Sequence, residues 1–187
     1  MLVRAIPLAV KSIYKQHMLK ALFLLAFHAC MRAGEVVVSS ESYHTLNFRH
    51  VQQIVQNGEP AFQITFPSYK HSKSSTTSIL SAAQQQEYCP VTALRTYLVH
   101  RGTSRGPLFI DENSSPITRA NFSAYLKSCL RIAGLPDHRY NTHSFRIGRA
   151  TQLAQDKVPQ SEIQSVGRWH SDAYQKYIRP SYKQLPS

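Results

Sequence analysis

The ten residues NTHSFRIGRA, Asn141 to Ala150, constrain this chain more than any other stretch. At about 100° per residue, a helix through them carries His143 and Arg146 on the same side as Ile147, Ala150 and Ala154. A guanidinium aimed at an apolar interior is costly unless it meets an anion. Any fold for this chain must therefore bring an anion, or a place for one, to that face.

The charge balance narrows the choice of anion. Lys and Arg number 22 against 10 Asp and Glu, a formal net charge of +12 spread along all 187 residues. A polyanionic partner follows, with nucleic acid ahead of a membrane surface. A hydrophobic content of 42% with 17% charged residues is that of a folded domain, long enough for one sizeable core. Cys30, Cys89 and Cys129 are odd in number, widely spaced and outside any metal-ligand pattern. They read as free thiols in a reducing compartment, with no zinc site. The longest apolar run, MLKALFLLAFHACM, is broken by Lys20 and His28 and falls short of the roughly 20 residues of a membrane span. The expectation is an intracellular protein with no membrane partner.

The spacing predicts a helix from His17 to about Arg32, in which Met18, Leu22, Leu25 and Ala29 form one apolar stripe. Continuing that stripe lands on Arg32, near a break at Gly34, with a second helix from about Glu35. Residues 1–16 read as a linker or a first helix. Between 45 and 82, three apolar stretches separated by QNGEP and KHSKSS predict a small antiparallel sheet with two hairpin connections. Pro90 opens a further helix, PLFI a short strand or bridge, and PITRANFSAYLKSCLRIAG a long amphipathic helix ending at Gly134. Thr142 is the expected N-cap of the NTHSFRIGRA helix, and short helices at 159–166 and 171–178 close the chain. This order predicts an α+β domain, mainly α-helical, with a small three-stranded sheet.

Three separated segments thus present cations: Arg32, Arg146 with His143, and Lys70 or Lys73 in a sheet connection. Singly, each has an ordinary explanation as a helix-end arginine, a capped histidine or a solvated loop lysine. GRWHSDAYQKYIRP adds Trp169, His170, Tyr174 and Tyr177 soon afterwards. A free tyrosine ionises near 10, so it attacks at neutral pH only in an electropositive site and on an activated electrophile. A phosphodiester clamped by two arginines is such an electrophile.

From about residue 17 to 179 this ordered set resembles the catalytic domain of tyrosine recombinases, the phage-integrase family. HSFRIGRAT and GRWHSDAYQKYIR look most like the recombinases of DIRS-like, Ngaro-like and Crypton-type transposable elements. The resemblance implies the catalytic core fold of DNA breaking-rejoining enzymes over 17–187, with 1–16 a linker or the remnant of a missing N-terminal region. MRAGEV is similar to the family's first box, implying Arg32 as first phosphate-binding arginine and Glu35 as its supporting acid. HSFR is similar to the second box, implying His143 for proton transfer and Arg146 as second arginine. Lys73, in HSKSS, fits the family's lysine pattern better than Lys70 and is implied as general acid. Tyr177 lies ten residues after Gly167, the family's spacing for the nucleophile, which leaves Tyr174 to pack. Strict counting puts Arg168 where the family has His or Trp; Trp169, with His170 second, is preferred beside the phosphate.

The implied activity is cleavage and rejoining of double-stranded DNA through a 3′-phosphotyrosyl link, for integration of a transposable element, without metal or cofactor. The implied assembly is a dimer or tetramer on DNA, in the nucleus if the host is eukaryotic. The alternatives are an element-derived DNA-binding protein that no longer cuts, and a type IB topoisomerase-like enzyme.

Overall fold

The helix that organises the molecule is α2, Ile13–His28, in a computed structural model that describes residues 2–39, 44–67 and 75–179. Met18, Leu19, Ala21, Leu22, Phe23, Leu24, Leu25 and Ala26 are all buried. A helix apolar on every side belongs at the centre of a core, and α2 packs against α1 (Leu2–Ala9), α4 (Pro90–Arg101) and α6 (Ser144–Gln155). Fully burying each large apolar side chain is worth about 1.5–3 kcal/mol. The α1 helix is part of this core, with Ala5 and Ile6 buried, and it also packs on α5, Arg119–Ile132.

The predicted stripe along α2 is buried as expected, but the helix stops one turn before Arg32. Cys30 adopts a left-handed conformation, φ 50°, and the Met31 amide closes back on the Ala26 carbonyl at 2.9 Å. That bond satisfies a terminal carbonyl and reverses the chain. Arg32 is therefore extended, at the N-terminus of the short α3, Ala33–Val36. Gly34 lies inside α3, and the break is at Cys30 instead.

The sheet is antiparallel in the order β1 (Val51–Gln56), β2 (Glu59–Phe66), β3 (Thr76–Leu80). Its first hairpin pairs Gln56 with Glu59 across Asn57 and Gly58, both at positive φ, the pairing of residues that a two-residue turn demands. The second connection contains Lys70 and Lys73, which lie outside the described residues. Phe62, Ile64 and Phe66 of β2 are buried in the main core.

Pro90 opens α4 as predicted, and Ile110 bridges to Pro116. The long helix α5 starts later than its sequence pattern, at Arg119, because Thr118 and Asn121 cap each other's backbone at 3.1 Å. At α6 the N-cap is His143, with no side-chain cap bond, and not Thr142; in the turn before it Asn141 Oδ1 accepts from the His143 amide at 2.9 Å. Phe145 sets the rotation of α6 by packing tilted against Phe23 and stacked on Phe122, with centroids 5.3 and 5.7 Å away. Beyond α6, α7 (Gln160–Gly167) and a 3-10 helix, Asp172–Tyr177, stand where the two short closing helices were expected. Leu153, Ile163 and Tyr174 form a second small core that pins these elements to α6.

Candidate active site

With Phe145 in the core, Arg146 points one-quarter turn away and is completely buried. Nη1 donates to the Cys30 carbonyl, and Nη2 donates to the Gly167 carbonyl at 2.7 Å. Cys30 Sγ donates in return to the Arg146 carbonyl at 3.6 Å. Two neutral acceptors orient the guanidinium but leave its charge uncompensated. No carboxylate among the described residues lies within ion-pair reach, and Nε is buried without a hydrogen-bond partner among them. Burial pushes the Arg146 pKa down, yet a guanidinium stays protonated.

Arg32 and Glu35 form the adjacent wall. The Arg32 amide donates to Glu35 Oε2 at 2.8 Å, and Nη1 pairs with Oε1 at 2.9 Å. The side chain of Arg32 remains 41% exposed while that of Glu35 is buried. The positive charge of Arg32 acts on Arg146 and on His143, so the two predicted arginines and the histidine share one field.

His143 sits at the start of α6 and is exposed, at the rim of this pocket and not among the buried residues where helical spacing placed it. Partial burial, then the charges of Arg146, Arg32 and Arg119, hold its pKa below the ordinary histidine value. Its ring centroid is 5.1 Å from that of Tyr177. Trp169 is also 5.1 Å from Tyr177, and both rings lie over the Arg146 guanidinium, at 4.0 Å for Trp169 and 5.3 Å for Tyr177. These are cation–π distances.

The neighbouring candidates differ in where the fold places them. Tyr174 is buried in the second core, whereas Tyr177 is half-buried and faces the cations. Trp169 covers Arg146, while His170 is exposed. Arg168 turns away altogether: Nη2 pairs with Glu35 Oε2 at 2.6 Å, Nη1 donates to the Ala29 carbonyl at 2.9 Å, and the guanidinium lies 3.8 Å over Phe66. Lys73 and Lys70 lie outside the described residues.

Sequence reasoning missed what holds these groups. Thr151 Oγ1 donates to the Tyr177 carbonyl at 3.2 Å and accepts from the Arg179 amide at 3.1 Å. Gly167 is required because a Cβ there would fall 1.7 Å from the Trp169 ring. The Arg168–Glu35 pair had a visible signal, an arginine standing where the compared pattern has His or Trp. Among the described residues no group of three His, Cys, Asp or Glu side chains is placed to hold a metal ion.

Comparison with known proteins agrees with this geometry. The chain matches the phage integrase family over residues 5–184. It is 28% identical over 169 residues to an integrase/recombinase XerD homolog of Selenomonas ruminantium, covering 82% of this chain and 44% of that protein. Its fold is similar to XerH site-specific recombinase bound to difH substrate in a post-cleavage complex: TM-score 0.71, 18% identity, 97% of this chain and 47% of the other. It is also similar to a lambda integrase dimer bound to a COC′ core site: TM-score 0.62, 14% identity, 99% of this chain and 48% of the other. The chain thus spans about half the length of these relatives. With the match running over nearly its whole length and the paired arginines, histidine and tyrosine brought together by the fold, the chain belongs to the phage integrase family of tyrosine recombinases.

Proposed function

We propose that this chain is the catalytic domain of a DNA strand transferase that cuts and rejoins duplex DNA through a 3′-phosphotyrosyl intermediate. The observation that carries the reading is the convergence of Tyr177, Trp169 and His143 on the buried, uncompensated charge of Arg146. The similar XerH and lambda integrase structures contain DNA substrates, which supports DNA as the substrate, and the net charge of +12 suits a phosphate backbone.

In this reading Arg32 and Arg146 bind the non-bridging oxygens of one phosphodiester. Because Arg146 lies beneath the Trp169 and Tyr177 rings, binding requires the Tyr177 ring to move off the guanidinium toward the phosphorus while Trp169 stays over it. Tyr177 Oη attacks, and its proton passes to His143, held neutral by its lowered pKa. The P–O5′ bond breaks, and the leaving oxygen takes a proton from Lys73 to become a 5′-hydroxyl. The arginines neutralise the charge that grows on the equatorial oxygens. The phosphotyrosyl ester conserves the bond, so a 5′-hydroxyl of another strand reverses the step and rejoins DNA. Pairing of protomers as a dimer or tetramer on DNA would place two such sites together, and the lambda integrase dimer is the comparison that supports it. The likeness of HSFRIGRAT and GRWHSDAYQKYIR to transposable-element recombinases supports integration of an element as the biological task.

A library of random-sequence duplexes, each nicked so that the leaving segment diffuses away, tests the chemistry. The expected result is a covalent protein–DNA adduct that is lost in Tyr177→Phe. A native chain that binds these duplexes and never forms an adduct would instead be a DNA-binding protein that does not cut. Relaxation of supercoiled plasmid at any sequence would mark a type IB topoisomerase-like enzyme.

A further inference from the structure

Glu35 is shared by two arginines of very different exposure. Its Oε2 meets Arg168 at 2.6 Å, with the Arg168 side chain 1% exposed, and its Oε1 meets Arg32 at 2.9 Å. The three formal charges sum to plus one, and the buried partner is the one whose charge cannot be balanced by solvent. We propose that Arg168 is a positioning residue that takes up the negative charge of Glu35, so that Arg32 meets a phosphate as a cation instead of as half of a neutral pair. The proposal rests on the reading of the pocket as a phosphodiester site.

The surroundings of Arg168 fit this role. Its backbone is left-handed, φ 54°, at the C-terminus of α7, which turns the side chain away from Trp169 and toward α2 and β2. There the fork reaches Glu35 and the Ala29 carbonyl together while lying flat on Phe66, a combination that lysine cannot make. Burial pushes the Glu35 carboxyl up, but Arg168 first and Arg32 second outweigh it, and the carboxylate is held ionised. Without Arg168, Glu35 has Arg32 as its remaining side-chain cation among the described residues. The pair then becomes neutral, and Arg32 is drawn toward the carboxylate and away from the pocket mouth. Arg168 also joins the end of α7 to the Arg32 segment, so the Trp169 side of the pocket and the Arg32 side keep one geometry.

The test is titration of the whole chain with inorganic phosphate by calorimetry, with Arg32→Met setting the level of binding elsewhere on this basic surface. Arg168→Met should weaken phosphate binding at the pocket about tenfold, the effect expected for loss of one nearby charge. Neutralising the acid as well, in Glu35→Gln/Arg168→Met, should restore affinity to within about threefold of the native chain. A role in packing alone predicts no such recovery. Arg168→Met binding phosphate like the native chain, or a double variant no better than the single, would overturn the proposal. Should Arg168→Met fail to fold, the double variant, which removes both members of the buried Arg168–Glu35 pair together, carries the test. Near-native affinity then supports the role, and affinity at the Arg32→Met level refutes it. The nicked-duplex assay separates the two readings. A phosphate series that behaves as expected in a chain forming no adduct refutes strand transfer and leaves Arg168 its role; adduct formation undiminished in Arg168→Met does the reverse.

Discussion

The Gly167 carbonyl accepts Arg146 Nη2 at 2.7 Å and so ties α6 to the end of α7, 21 residues further along the chain. The same glycine lets Trp169 fold back over the guanidinium, because any Cβ at position 167 would fall inside the ring. One residue thereby orients the buried cation and admits the ring that covers it.

Gly167→Ala should therefore displace Trp169 and unseat Arg146. Forcing a methyl group into a packed site costs about 1–3 kcal/mol, which denaturant unfolding would measure. Adduct formation with nicked duplexes should fall more than the stability loss explains. A variant with native adduct rates would show that Trp169 need not cover Arg146.

Arg146→Met should separate stability from function. A buried cation held by neutral carbonyls is expensive, and replacing buried ionic groups by apolar ones of similar size is often neutral or stabilising. The melting temperature should hold or rise, although two carbonyls lose a donor. Removing a transition-state donor should cost about 10²–10³ in the adduct rate. Single-turnover kinetics measures the second effect and calorimetry the first.

The two tyrosines should respond in opposite ways. Tyr177→Phe keeps the ring over Arg146 and should change stability by less than about 0.5 kcal/mol while abolishing the adduct. Tyr174→Ala empties the small core it shares with Leu153 and Ile163 and should cost about 3–5 kcal/mol, as large aromatic truncations do. Adduct formation that persists in Tyr177→Phe would move the nucleophile elsewhere.

Acid should weaken the fold through His28. Burial, with the nearby charge of Arg149, lowers its pKa from 6.5 to about 4. The unfolded chain therefore binds the His28 proton more readily than the folded one. The contribution is complete above 6.5, is lost as pH falls toward 4 and is flat below that, with a ceiling of about 3 kcal/mol. Between pH 7 and 4 the unfolding midpoint of the native chain should fall more steeply than that of His28→Gln, which lacks this group.

Much of the fold was legible along the chain. The apolar stripe of Met18, Leu22 and Leu25, the Asn57–Gly58 turn and Pro90 are local signals, read from neighbours within a few residues. The end of α2 was not legible: a left-handed cysteine terminated it where glycine was expected to. The cap of α6 falls one residue later than expected, at His143, because a turn closed by Asn141 on the His143 amide and on Ser144 precedes the helix. His143 was expected among buried residues, but the tight first turn leaves it at the rim.

The sequence by itself named the candidate groups, Arg32, Glu35, Lys73, His143, Arg146, Trp169 with His170, and Tyr177, in an order that resembles one family and in a chain basic enough for DNA. The resemblance carries that much because its motifs depend on residue type and spacing alone. Only the tertiary structure shows where these side chains lie: Trp169 and Tyr177 over Arg146, Tyr174 in the small core, and Arg168 on Glu35. Those placements depend on contacts across 21 to 139 residues of chain. There a left-handed backbone at position 168 turns one arginine into the core and leaves the next ring over another.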